Sequence, residues 1–171
     1  NEQRLELVGP SGQLVWDEMH KFRLSRENWD VQNVLRCRPL GIKGIEHPPT
    51  KQELRCCSIY NDQALEKNNQ SATVHLVLGE VAGKQLLGKH YRKDKPYFWH
   101  APWNAYVVLA PHPAYILRQG GAEANTWAYF DFQERFKAAA ACIRYPGRWG
   151  YVKSLKTHAV RTLTQLKALH Q

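Results

Sequence analysis

Apolar residues along this chain alternate between helical spacing and short continuous runs, and the changes mark its elements. Leu14, Val15, Met19 and Phe22 share one face of a helix predicted over Gly12 to Leu24, with Glu18 and Lys21 near the other. Trp29 to Arg36 reads as a strand carried by Val31, Val34 and Leu35. A Gly- and Pro-rich loop follows. Thr50-Lys51-Gln52-Glu53 then forms a capping box that opens a helix toward Lys67. Thr73 to Leu78 is an apolar strand ending at Gly79, and Glu80 to Leu87 is a short helix closed by Gly88. Lys89 to Asn104 mixes basic and aromatic residues, which suits a strand-binding groove or a solvated loop with docked rings. Ala105 to Ala110 is a further apolar strand, stopped by Pro111. Helical patterns over Ala122 to Arg144 and Ser154 to His170 complete the chain, divided at Pro146 and Gly147.

Strands that are apolar throughout and separated by helices imply a parallel sheet covered on both faces. The expected fold is an α/β three-layer sandwich around a mostly parallel, four-stranded sheet. In such sheets ligands sit outside the carboxyl ends of the strands. That rule selects Asn33, Gly79 and His112 as the places to look for chemistry. An Asn amide offers both a donor and an acceptor to a polar ring edge, and it serves equally well to bond a loop backbone. His112, with Pro on both sides, suits a neutral imidazole donor, or simply a cap on the strand end.

A chain of 171 residues fits one compact domain with an appended tail, here divided as residues 1–143 and a basic segment 144–171. Hydrophobic content of 43% supports a core. No apolar run approaches the ~20 residues that span a bilayer, and no signal peptide is evident. Four cysteines are too few for a disulfide scaffold, which favours an intracellular protein, cytoplasmic (nucleoid) or nuclear. A net charge of +9 raises the question of a polyanionic partner, nucleic acid before an acidic membrane surface, although many basic proteins are simply soluble in that form.

Four segments in order resemble the uracil-DNA glycosylase superfamily, most closely its iron–sulfur type, family 4. Val8-Gly9-Pro10-Ser11-Gly12-Gln13-Leu14 is similar to its VGxAGQLL segment, and Asn33-Val34-Leu35-Arg36-Cys37-Arg38-Pro39 to its NVVKCRP segment. Leu78-Gly79 through Leu86-Leu87-Gly88 is similar to its glycine- and leucine-rich third segment, and His112 to Arg118 to its HPSxxLR motif. The resemblance places the family's first strand and its GEAPG-like loop just upstream of Asn1. Leu7 stands where the family has a Phe that stacks on the base, and Ala114 where it has Ser.

The resemblance implies an enzyme that flips a nucleotide out of DNA and cleaves the N-glycosidic bond of uracil, in base excision repair. It implies that His112 hydrogen-bonds the uracil O2 as negative charge develops. Asn33 would read the pyrimidine edge beside Leu7. The segment Tyr115, Ile116, Leu117 and Arg118 would meet DNA as an apolar wedge with a terminal Arg on phosphate. Helix packing is the competing reading of Ile116 and, more strongly, of Leu117. Arg92 and Lys93 of the basic aromatic stretch would add phosphate contacts. It also implies a 4Fe-4S cluster, with Cys37 and Cys57 as two of four ligands and Cys56 as the alternate. Buried free thiols are the competing interpretation, and Cys142, among alanines, reads as core. Segment 144–171 could join another domain or a replication or repair protein. Leu7 and Ala114 keep open a second function, a glycosylase-like DNA-binding or replication-accessory module without the chemistry.

Overall fold

The computed structural model describes residues 7–146, apart from 38, 40, 42–43, 45–46 and 70. Five helices surround one sheet: α1 (Pro10–Lys21), α2 (Lys51–Asn68), α3 (Glu80–Leu87), α4 (Pro113–Arg118) and α5 (Trp127–Arg144). The strands are β1 (Val74–Leu78), β2 (Tyr97–His100) and β3 (Ala105–Ala110), in the spatial order β1-β3-β2. β1 runs parallel to β3, with Val74 opposite Tyr106 and Leu78 opposite Ala110. β2 runs antiparallel to it, with Tyr97 opposite Val108 and His100 opposite Ala105.

Alternation along β3 explains the apolar composition. Tyr106, Val108 and Ala110 face α1 and α5, packing with Val15, Phe132, Phe136 and Ala139. Ala105 and Val107 face the other way, onto Val77, Leu87 and Trp103, with Leu65 of α2 and Leu86 of α3 around them. Both faces are dry, so no position along the strand tolerates a polar side chain. Each large aliphatic side chain buried this way stabilises the fold by about 1.5–3 kcal/mol. The result is an α/β sandwich with helices on both sides of the sheet.

Three expectations need correction. Trp29–Arg36 is not a strand. An extended segment gains its ladder bonds only from a neighbouring strand, and here Val34 C=O accepts instead from the Asn61 side chain of α2, at 3.1 Å, while Trp29 tucks into the core. The fourth strand is therefore not present among the described residues. Second, the basic aromatic stretch contributes β2, so the sheet has one parallel and one antiparallel pair. Third, Glu18 is fully buried rather than solvent-facing. Lys21 Nζ lies 2.5 Å from its carboxylate, the Tyr129 hydroxyl donates to the same oxygen, and Gln133 Nε2 donates to the other at 3.4 Å. Burial lowers the Lys21 pKa, but the bonds to Glu18 and Tyr129 outweigh it and leave the ammonium above its ordinary value. This network ties α1 to α5.

The remaining elements fall close to their expected positions. The Thr50–Glu53 capping box is complete in both directions, and Gly88 ends α3. α5 begins at Trp127, later than the pattern suggests, because Thr126 Oγ1 accepts the Tyr129 N–H and caps it there. The expected helix over Ser154 to His170, and nearly all of the tail containing it, lie outside the described residues.

Candidate active site

The parallel pair β1 and β3 ends with two sharp departures side by side. Gly79 N–H donates to Ala110 C=O at 2.8 Å, extending the ladder by one bond. Its backbone then turns with φ +91° and ψ 158°, a conformation reserved for glycine. A Cβ on Gly79 would sit 2.9 Å from His112 Cβ and 3.1 Å from Cδ2. The histidine ring therefore lies directly on the glycine backbone, with its other side open to solvent.

His112 caps α4, and the way it does so fixes its chemistry. Ala114 N–H donates to His112 Nδ1 at 3.2 Å. An Nδ1 that accepts carries no proton, so in the neutral ring the proton resides on Nε2. Burial first, and then the charge of Arg118, lower the imidazole pKa from its ordinary 6.5. His112 is thus the N-cap of α4, and the same contact leaves the proton of the neutral ring on Nε2. The backbone N–H of Ala114 is the orienting partner, a contact its alanine side chain gave no hint of.

The cations gather at the same rim. Leu109 N–H donates to Pro96 C=O at 2.6 Å, which lays the segment leading into β2 alongside the end of β3. Arg92 there binds Asp94 at 3.3 Å. Lys93 lies close enough to Glu80 that, after Lys84, it helps to hold that carboxyl below its ordinary value. Arg118 closes α4 and is exposed. Tyr115 and Leu117 are exposed on α4, at 44% and 36%, whereas Ile116 is wholly buried among Ala110, Tyr129 and Phe132. An apolar wedge on this helix therefore has to be built from Tyr115 and Leu117, because Ile116 belongs to the core.

Leu7 and Asn33, the other expected base-binding residues, make no described hydrogen bond to His112. Leu7 adopts φ +57°, its C=O accepts from the Trp16 indole at 3.1 Å, and its half-buried side chain packs on the α1 core. Asn33 is exposed, and no hydrogen bond described here joins it to His112. The Lys89–Asn104 stretch divides in two. Its charged part reaches the rim, while His90, Phe98, His100 and Trp103 form an aromatic cluster, with the His100 and Trp103 ring centroids 4.5 Å apart. His100 is buried, and neither of its ring nitrogens has a partner among the described residues.

None of the four cysteines is in a disulfide. Cys37 and Cys56 are exposed, Cys57 is half-buried, and Cys142 is in the core, where burial pushes its thiol up to about 11. Two contacts hold the chain beside Cys37 against α2: the Asn61–Val34 bond, and the Arg36 guanidinium 5.7 Å from the Tyr60 ring centre. Cys57 lies one helical turn from Asn61 on the inner stripe, and Cys56 one turn from Tyr60 on the exposed one. No group of three or more His, Cys, Asp or Glu side chains is placed to hold a metal ion among the described residues. None of the described helices is long and apolar enough to cross a membrane.

A comparison with protein-family models accords with this geometry. The model described as the uracil DNA glycosylase superfamily matches residues 1–137. That span takes in Gly79, His112 and all three strands, and reaches well into α5.

Proposed function

Because the chain belongs to the uracil DNA glycosylase superfamily, whose substrate is DNA, we propose that it excises uracil, with His112 as the group that stabilises the departing base. The observation that carries this reading is the Ala114–His112 contact at 3.2 Å. It leaves a neutral Nε2–H aimed away from the helix, preorganised to donate to a uracil oxygen as the glycosidic bond breaks. A donor that meets charge arising only in the transition state accelerates the reaction, and losing one typically costs ~10²–10³ in rate. Asn33 reads the pyrimidine edge, Arg118, Arg92 and Lys93 hold phosphates, and Tyr115 fills the position the base has left. Among the described residues no carboxylate contacts His112, so water activation is not assigned to any group of this chain.

A 4Fe-4S cluster belongs to the same reading. Cys37 and Cys57 fit two of its four ligand positions, since the contacts beside them bring their segments together and Cys57 lies on the inner stripe. Cys142 does not fit, being core and protonated. A bound cluster supplies a rigid tie between the Asn33–Cys37 segment and α2, and no chemical step passes through it. Iron and sulfide in anaerobically purified protein, lost in Cys37→Ser, would support it; protein holding neither would refute it.

The deciding experiment compares single-turnover excision from uracil-containing oligonucleotides by the wild type and His112→Ala. The expected loss is ~10²–10³-fold with DNA binding retained. Equal rates would refute the role of His112. A wild type that binds DNA and never excises would establish instead the accessory-module reading favoured by Leu7 and Ala114. Asn33→Asp should relax discrimination against cytosine, and unchanged selectivity in an active variant would remove Asn33 from the site.

A further inference from the structure

Trp127 is 80% exposed and Phe130 is 47% exposed, one turn apart on α5, with ring centroids 5.9 Å apart in an edge-to-face pair. A tryptophan this open is the largest unpaid apolar exposure among the described residues, and it is anchored. Thr126 caps the helix beneath it, and Tyr129 and Phe132, between and beyond the two exposed rings, are buried. The pair is thus held out from a fixed helix.

Its position in the fold suggests what covers it. α5 runs antiparallel to β3: Tyr129 and Phe132 pack with Ala110 and Ile116 at the carboxyl end of the strand, and Ala139 and Cys142 with Val74 and Tyr106 at the other. The first turn of α5 therefore stands at the same end of the sheet as His112. The loop from α4 to α5 spans residues 119–126, and the exposed rings of Trp127 and Phe130 stand at the end of the sheet where α4 exposes Tyr115, Leu117 and Arg118. Exposed aromatic rings beside cations form the stacking platforms on which proteins hold unpaired bases, and the contact tolerates any sequence because every base has a flat face.

We propose that Trp127 and Phe130 form a stacking subsite for unpaired DNA bases flanking the nucleotide held at His112. The inference rests on the excision reading for its orientation, although the subsite itself needs only DNA at the rim. It predicts a preference for single-stranded or locally opened substrate, because paired bases offer these rings no free face.

Fluorescence anisotropy of a labelled single-stranded 20-nucleotide probe and its duplex, against wild type, Trp127→Ala and Phe130→Ala, tests this. Trp127→Ala should weaken single-strand binding by roughly 5- to 100-fold, the range of one lost base stack, and duplex binding much less. Phe130→Ala should have a smaller effect of the same sign. A wild type that shows Trp127-dependent single-strand binding and never excises refutes the excision reading alone. Unchanged single-strand affinity in Trp127→Ala overturns the subsite even if excision is intact. A shift in oligomeric state on sizing that accompanies Trp127→Ala, with DNA affinity preserved, also overturns it and assigns the patch to a protein interface.

Discussion

Gly79→Ala tests the link between the strand end and the proposed role of His112 most directly. Two costs arise at once. The backbone at φ +91°, ψ 158° lies in a region essentially closed to residues with a Cβ, at about 1–3 kcal/mol. The added methyl would also lie 2.9 Å from His112 Cβ, closer than real Cβ contacts come, so the imidazole must move. Together these amount to about 2–4 kcal/mol, and at roughly 2–4 °C per kcal/mol for a chain of this size the melting temperature should drop by about 5–15 °C. Displacing His112 also breaks the bond from Ala114 N–H and turns Nε2 from its target. Misplacement by as little as ~1 Å can cost ~10²-fold in rate, so excision by the folded variant should fall by about 10- to 100-fold. Gly88→Ala is the matched control. Gly88 also has positive φ, +51°, but nothing lies within 4 Å of a Cβ there, so it should cost stability without touching excision. Thermal melts, single-turnover excision below the melting temperature and NMR titration of the His112 ring would be run on both variants. A Gly79→Ala protein that melts within 1–2 °C of wild type and keeps the His112 titration unchanged would refute the reasoning.

Further outcomes follow from other contacts. Glu18→Ala should destabilise by about 2–4 kcal/mol, since it leaves the buried Tyr129 hydroxyl without its carboxylate and opens a cavity; urea unfolding measures this, and a change below 1 kcal/mol would show that α1 and α5 do not depend on the network. Burial, and then the nearby His100, hold His75 down to about 4. The folded state therefore resists a proton that the unfolded chain accepts near 6.5, so this contribution is full above pH 6.5 and is lost as pH falls toward 4, at up to about 1.4 kcal/mol per pH unit. Melts over that window should flatten in His75→Gln, and an identical pH slope would remove His75 as the cause. Because the His112 pKa is lowered, excision should persist below pH 6.5 and fail only once the ring takes its second proton, which a pH–rate profile under single-turnover conditions would show. Thr50→Ala should cost about 1 kcal/mol through loss of the capping box, with no effect on excision.

Local physics made much of this protein legible in its sequence. The capping box at Thr50, the apolar runs Thr73–Leu78 and Ala105–Ala110, and the glycine closing α3 each depend on neighbouring residues alone, and each stands where its pattern indicates. The strand-end rule put Gly79 and His112 at real strand ends, because the carboxyl end of a parallel strand is marked by the break in its apolar run, and it failed at Asn33, whose strand does not form. Pairing is a different matter. Trp29–Arg36 has the composition of a strand and is not one, since a strand exists only through its neighbour's hydrogen bonds. Tyr97–His100 reads in the sequence only as part of a basic aromatic stretch and is one, because β3 offers it an edge. Helical periodicity placed Glu18 away from the core, and its burial depends on Lys21 one turn along together with partners 111 and 115 residues distant on α5. The tautomer of His112 likewise hangs on one backbone N–H, and the exposure of Trp127 on which of its neighbours turn inward. Sequence supplied the candidate residues and the ends of the strands; which groups face each other, and therefore which nitrogen carries the proton, was decided by the packing of β1, β3, α4 and α5 around them.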